Sequence, residues 1–321
     1  MSLLRPELRC RIRFRSNIVA SLRINLRRPL RNLRTVSIVA ACAGWGFAAV
    51  DDAELQAARA LLSSRDTLPA AKQAFERIAA ADPRCAEAHR ALAHLALQRD
   101  EANDAIDHAQ KAVTLAPENP DYQHALGQAC GRAAQKAGLL SFRAPGLAKK
   151  CLAAFQRAAA LAPENADYHQ SLFDYYRQAP GFLGGGADKA LAEAMKIKTL
   201  DINRGRSALV TLYTEEKKFD LALAQFDEAL AAAPDDYVIL FQLGRYSAQT
   251  GQFLDRGLAS LHRCLELTPP KGAAGHAAVH YRLGNVHEKM RAPAAARVAY
   301  QTALQIDPRL SQAADALKQL Q

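Results

Sequence analysis

The sequence predicts an all-α fold, a right-handed superhelical solenoid of antiparallel helix hairpins with a C-terminal capping helix. Three observations predict it. Half of the 321 residues are hydrophobic, yet only 7% are aromatic and alanine is everywhere. Alanine has the best helix propensity and lets backbones approach, whereas strands favour β-branched and aromatic residues. A phrase also recurs: Thr114-Leu-Ala-Pro-Glu-Asn-Pro-Asp-Tyr122 returns as Ala160-Leu-Ala-Pro-Glu-Asn-Ala-Asp-Tyr168 and, shortened, as Ala231-Ala-Ala-Pro-Asp-Asp-Tyr237. Finally, the prolines keep a ruler. Pro83 to Pro117 is 34 residues, Pro117 to Pro163 is 46 (34 plus 12), and Pro163 to Pro234 is 71 (two periods plus 3). Pro234 to Pro269 is 35 and Pro269 to Pro308 is 39.

Each copy of the phrase reads as a helix end, a turn and a new helix start. Proline cannot continue the helix it follows, and an acidic residue after it suits an N-terminus. Hairpins are therefore expected near 52–85, 86–119, 120–165, 166–202, 203–236, 237–272 and 277–310. Ahead of the prolines lie Ala71 with Phe75, Ala105 with Ala112, Phe155 with Ala158, Ala222 with Phe226 and Ala229, and Ala296 with Tyr300 and Ala303. The first helices carry Leu92-Ala93, Leu126-Gly127, Leu243-Gly244 and Leu283-Gly284. The small residue lets the two helices of a hairpin touch, and the aromatic fills the gap below. Across about 52–310, roughly seven repeats, this pattern resembles the tetratricopeptide repeat family. The resemblance implies a protein-binding scaffold with no catalytic residues, metal or cofactor. The family's first-helix tryptophan is absent, since Trp45 lies outside the array. So is the Lys/Asn/Arg set of its two-carboxylate clamp.

Three regions follow: a basic leader with a signal-like segment (1–50), the array (51–310) and a capping helix (311–321). A cap is expected because the last repeat otherwise exposes its apolar face. The net charge of +10 is concentrated in the leader. Residues 1–34 hold ten arginines and one acid, leaving about +1 for the other 287 residues. A nearly neutral array carries no nucleic-acid footprint. Sixteen uncharged residues, Thr35 to Val50, then precede Asp51. A basic flank, a short apolar stretch and small residues describe a secretory signal, and the stretch is short for a bilayer span. The expected location is periplasmic or secreted. Two alternatives stay open: a lipid anchor at Cys42, whose preceding Val39-Ala40-Ala41 resembles a lipoprotein box, or a cytoplasmic chain with an uncleaved leader.

The array departs from its period within Gly131–Lys150, by twelve residues, and around Pro180–Ala187, by about three. Both places contain Ala-Pro-Gly before a second helix: Ala144-Pro145-Gly146 and Ala179-Pro180-Gly181. These are expected to be inserted loops on one edge, either drift or a paired feature. Gly181-Phe-Leu-Gly-Gly-Gly-Ala-Asp-Lys189 lacks the spacing and the flanking strand of a phosphate loop.

No catalytic arrangement can be assembled. His276 and His280 share a helix face but lack the Glu of a zinc protease motif. Cys130 and Cys151 lie on facing helices, as two small core residues or, in an oxidising compartment, a disulfide. The first helices build the inner wall of such an array. There the expected partner-binding residues are Arg90, His94, His124, Gln128, Arg132, Gln170, Asp174, Arg177, Arg245 and Tyr281, with Arg204, Thr211 and Phe241 extending the wall. The wall of repeats two to four reads as locally basic, with Asp174 the one acid among it. The expected function is an adaptor that holds a protein segment in this groove. The alternative is a helper subunit in envelope or secretion-complex assembly, acting through the convex face and the loops.

Overall fold

The structure is a computed structural model that describes residues 52–138 and 141–320. The leader, with Cys42 and Trp45, lies outside the described residues. Fifteen α-helices follow in order: α1 Asp52–Ala60, α2 Leu68–Ala81, α3 Ala86–Gln98, α4 Ala102–Leu115, α5 Pro120–Ala137, α6 Ala144–Leu161, α7 Ala166–Gln178 and α8 Ala187–Leu200. The series continues with α9 Ile202–Glu215, α10 Phe219–Ala232, α11 Tyr237–Thr250, α12 Leu254–Glu266, α13 His276–Lys289, α14 Pro293–Ile306 and α15 Ser311–Gln319. No strand occurs among the described residues, and no helix there is long and apolar enough to cross a membrane. Consecutive helices pack as seven hairpins, and α15 packs on α14 through Ala313.

The recurring turn is explained by its hydrogen bonds. The residue two places after the proline is the N-cap of the next first helix. Asn119 Oδ1 accepts from Asp121 N (2.9 Å), Asn165 Oδ1 from Asp167 N (2.9 Å), and Asp236 Oδ1 from Val238 N (2.9 Å). Such caps satisfy amide groups that the helix start leaves open. The fourth residue of three first helices then secures the proline carbonyl six residues back. Gln123 Nε2 donates to Pro117 O (2.9 Å), and His169 and His89 hold Pro163 O and Pro83 O through Nε2 (2.8 and 3.2 Å).

Packing within hairpins follows the small-residue expectation. A Cβ on Gly127 would lie 2.4 Å from the Phe155 ring, and one on Gly284 would lie 2.2 Å from Tyr300. The core runs as a chain of clusters. One joins α3 to α9 through Phe155, Phe173, Ile197 and Leu209, and others join α1–α3 and α11–α14. Ion pairs stitch neighbouring repeats, among them Arg59–Glu87, Arg157–Glu118, Arg204–Asp167 (2.8 Å), Lys198–Glu228 (2.6 Å) and Arg263–Asp235 (2.8 Å). Solvent screens exposed pairs of this kind, so they align the repeats more than they hold them.

The first departure from the period is mostly added helix. Relative to the α3–α4 hairpin, α5 is longer by 5 residues (18 against 13), α6 by 4 (18 against 14) and the connector by 3 (138–143 against 99–101). Ala144, Pro145 and Gly146 form the first turn of α6. Proline is tolerated there because its missing N–H has no helical partner in that turn anyway. The second departure is a true connector, 179–186, in which Gly181–Leu183 makes a 3-10 turn. It is five residues longer than the usual three, but Asp201 alone joins α8 to α9, so the net excess is small.

Candidate functional site

Three clefts succeed one another along the first helices. The widest, about 720 Å³, lies among α3, α5, α6, α7 and the 179–186 connector. The next, about 380 Å³, lies among α7, α9 and α11, and the third, about 440 Å³, between α9 and α11. Asp174 lines the first two clefts and Thr211 the last two.

The wide cleft joins the expected wall to both departures from the period. Leu97, Phe155, Tyr175, Leu183, Ala148 and Cys151 give it apolar surface, and His94, Gln128, Arg132, Asp174 and Gln178 supply polar groups. Ala144, Ala179 and Pro180 contribute as well. Tyr175 ties these parts together, because its hydroxyl is 2.8 Å from Leu183 O and 3.1 Å from Ala148 O. Burial pushes that phenol up to about 12, so it stays a donor. Burial likewise raises the Cys151 thiol to about 12 and the Cys130 thiol in the same direction, and both cysteines are free and buried. They serve here as small packing residues.

The structure separates the expected wall residues. Gln128 and His94 are exposed on the wide cleft, and His94 Nε2 is 2.8 Å from Gln98 Nε2. Desolvation of the enclosed side of its ring lowers the His94 imidazole, with Arg90 adding repulsion. Gln170 lies in the second cleft and donates to Asp174 (3.2 Å). His124 is half-buried against the rings of Phe155 and Tyr168. Ser171 donates its hydroxyl proton to Asp167 O (3.1 Å), so His124 Nε2 must donate to Ser171 Oγ (2.7 Å). His124 is thus a packing residue. Arg90 lines none of the three clefts. Phe241 packs against the core cluster that contains Tyr237 and Leu240, and so is no free anchor. Tyr281 leans on Tyr300 and carries Arg282 over its face (4.9 Å).

Two of the three arginines expected in the basic stretch of repeats two to four are neutralised, and Arg90 has no ion-pair partner among the described residues. Asp100 accepts from Arg132 (2.7 Å) and Lys136 (2.8 Å), which hold its carboxyl below the ordinary range. Arg177 pairs with Glu215 and lies 3.5 Å from Asp174. Along the later first helices, the arginines without a carboxylate partner among the described residues are Arg206, Arg245 and Arg282. Sequence reading named Arg245 alone of these three, and missed Phe155, Tyr175 and Leu183 as cleft lining.

A buried His–Glu pair outside the clefts along the first helices has a structural explanation. His169 Nδ1 is 2.6 Å from Glu193 Oε2, and Lys196 reaches Glu193 Oε1 (3.1 Å). In repeat two the same helix positions hold His89 and His108, stacked at 5.4 Å. Both pairs sit behind a histidine that grips a turn carbonyl, so they brace the joint between repeats.

Comparison with known proteins agrees with this architecture. The tetratricopeptide repeat profile matches residues 55–120 and again residues 277–310. Comparison with curated protein sequences gives no match. Among solved structures, a tetratricopeptide repeat protein from Parabacteroides merdae is similar at 13% identity and a TM-score of 0.52, over 84% of this chain and 97% of that one. A thermophilic tetratricopeptide repeat protein from Thermus thermophilus is 24% identical with a TM-score of 0.45, over 66% and 98%. PilF of Pseudomonas aeruginosa is 14% identical with a TM-score of 0.43, over 72% and 95%. With the profile matched at both ends of the array, and a helical hairpin at every period between them, the chain is a tetratricopeptide repeat protein.

Proposed function

We propose that this chain is a non-enzymatic adaptor that holds an extended protein segment along its first helices, with an apolar side chain of that segment seated in the wide cleft. The observation that carries this reading is the composition of that cleft. Apolar surface from Phe155, Tyr175, Leu183 and Leu97 is combined with the polar groups of Gln128, Gln178, His94 and Asp174. Apolar surface beside a few placed polar groups is the usual make-up of a recognition site. The charged groups near it are tied to each other, as in Arg132–Asp100 and Arg177–Glu215, which supports a positioning surface over an acid–base one. The near-neutral array supports a protein segment over nucleic acid.

The test is selection of peptides from a displayed library by the array, followed by titration calorimetry with Gln128→Trp. Gln128 is exposed, so the fold should be unchanged, while the indole fills the cleft. A loss of at least tenfold in affinity, ~1.4 kcal/mol, is expected. Unaltered affinity in the folded variant overturns this cleft as the seat.

A second reading, a helper subunit in envelope or secretion-complex assembly, is favoured by Phe142 and Phe182. These fully and largely exposed rings stand on the two lengthened connectors. Export is part of either reading and rests on the basic flank and the apolar residues 35–50. Mass spectrometry of the protein made in a bacterium with a periplasm should find a start near Val50. Acylated Cys42 points instead to a lipid anchor, and an intact leader in the cytosol refutes export.

A further inference from the structure

The cleft between α9 and α11 contains positive charge that no carboxylate among the described residues neutralises. Arg206 is buried, at 8% exposure, yet its one hydrogen-bond partner among the described residues is the neutral Asn203 Oδ1 (3.0 Å). Its remaining guanidinium nitrogens are not sealed from solvent, so they stay open to an anion that enters the cleft. Arg245 lines the same cleft, is exposed and has no ion-pair or hydrogen-bond partner among the described residues. Arg282 stands beside Arg245. Burial, and then repulsion from Arg245, holds it below the ordinary guanidinium range. Among the described residues Glu215 is the one carboxylate that lines the cleft, and Arg177 already holds it.

A second, independent observation points the same way. Tyr246 Oη is buried in this cleft and makes no hydrogen bond of normal geometry among the described residues, although the Thr214 hydroxyl stands close to it. Thr214, the hydroxyl beside it, donates to Val210 O (2.6 Å). Gln242 and Gln249 line the cleft with amide groups that have no partner among the described residues. Five donor-bearing side chains thus face one space of about 440 Å³. A carboxylate offers one charge and two oxygens. A phosphoryl group offers nearly two charges and three acceptor oxygens, which suits two guanidiniums, a phenol and two amides better.

We propose that Arg206, Arg245 and Tyr246 form a binding site for a dianionic phosphoryl group, with Gln242 and Gln249 completing it. The source is a phosphorylated side chain on the segment held along the first helices, and only this choice of source rests on the adaptor reading. The bare site is tested without any peptide. The full chain is titrated with inorganic phosphate, O-phosphoserine and acetate at equal ionic strength, by calorimetry and by thermal midpoint. Saturable binding of phosphate and O-phosphoserine is expected, with acetate at least tenfold weaker. Arg245→Gln should weaken phosphate at least tenfold, and Tyr246→Phe should weaken it several-fold. Arg206→Gln should abolish binding while leaving the midpoint in phosphate-free buffer equal or higher, because an unneutralised buried charge is gone. A midpoint lowered equally in both buffers makes Arg206 structural and overturns its role. If that variant fails to fold, Arg245→Gln decides. No saturable response to phosphate overturns the site, and equal response to acetate overturns the phosphoryl preference. Either failure leaves peptide capture in the wide cleft to be judged by Gln128→Trp.

Discussion

Gly205 offers a sharp test of how the repeats are joined. Asp201 alone separates α8 from α9, so the two helices meet almost backbone to backbone. A Cβ on Gly205 would lie 2.1 Å from Lys198 Cα and 2.2 Å from Lys198 N. Main-chain atoms cannot rotate aside, so Gly205→Ala belongs at the upper end of overpacking costs, about 3 kcal/mol. Alanine returns about 1 kcal/mol through helix propensity. The net loss is therefore about 2 kcal/mol, which lowers the thermal midpoint by roughly 4–8 °C for a domain of this size. Gly146→Ala supplies the internal control. Gly146 also lies in a helix, yet nothing stands within 4 Å of its Cβ position. The same substitution should there raise stability by about 0.5 kcal/mol. Urea and thermal unfolding, followed by circular dichroism, read both variants. A Gly205→Ala protein as stable as the parent, or equal losses at both sites, refutes the close-joint argument.

Ala222 is fully buried against Phe226 and Leu243, so Ala222→Leu should cost ~1–3 kcal/mol and lower the urea midpoint; an unchanged midpoint rejects the packing register. Lys217 holds φ at +57° in the three-residue connector between α9 and α10. Lys217→Gly should raise stability by about 1 kcal/mol, because glycine adopts that conformation without a Cβ clash, and a lower unfolding midpoint refutes the strain. Burial lowers His89, His108, His124, His280 and His287 below the ordinary imidazole value. The unfolded chain therefore binds more protons, and stability present above pH ~6.5 is lost as pH falls toward the folded-state values. Urea midpoints at pH 7.5 and pH 5 should show this fall, and equal midpoints contradict it.

The hairpins were legible because their determinants are local and repeated. Leu126-Gly127 with Phe155, and Leu283-Gly284 with Tyr300, meet as their spacing implies. The insertion was misread because surplus residues do not announce whether they lengthen helices or a loop. Ala144-Pro145-Gly146 looks like a turn, yet proline in a first helical turn is equally at home. The groove was legible in its helices but not in its charge. Arg132 meets Asp100 and Arg177 meets Glu215, 32 and 38 residues away in the chain. The period brings such residues together, but side-chain reach decides which pairs close. The apolar part of the wide cleft comes partly from a second helix and a connector, through Phe155 and Leu183, which no periodic pattern of first helices contains.

The joint between α12 and α13 is the opposite of the one at Asp201. Nine residues, 267–275, cross it, with Lys271 exposed in their middle. The packing does not depend on that crossing. Val279, Leu283 and Val286 of α13 share one cluster with Leu261 and Cys264 of α12 and Leu240 of α11. Covalent continuity and mechanical continuity are therefore separate properties here. A protease cut after Lys271 would divide the polypeptide without dividing the body, and the two fragments would stay together as a heterodimer held by that apolar cluster and by the hydrogen bonds of Tyr237 to Ala274 O (2.6 Å) and His276 to Leu267 O (3.0 Å).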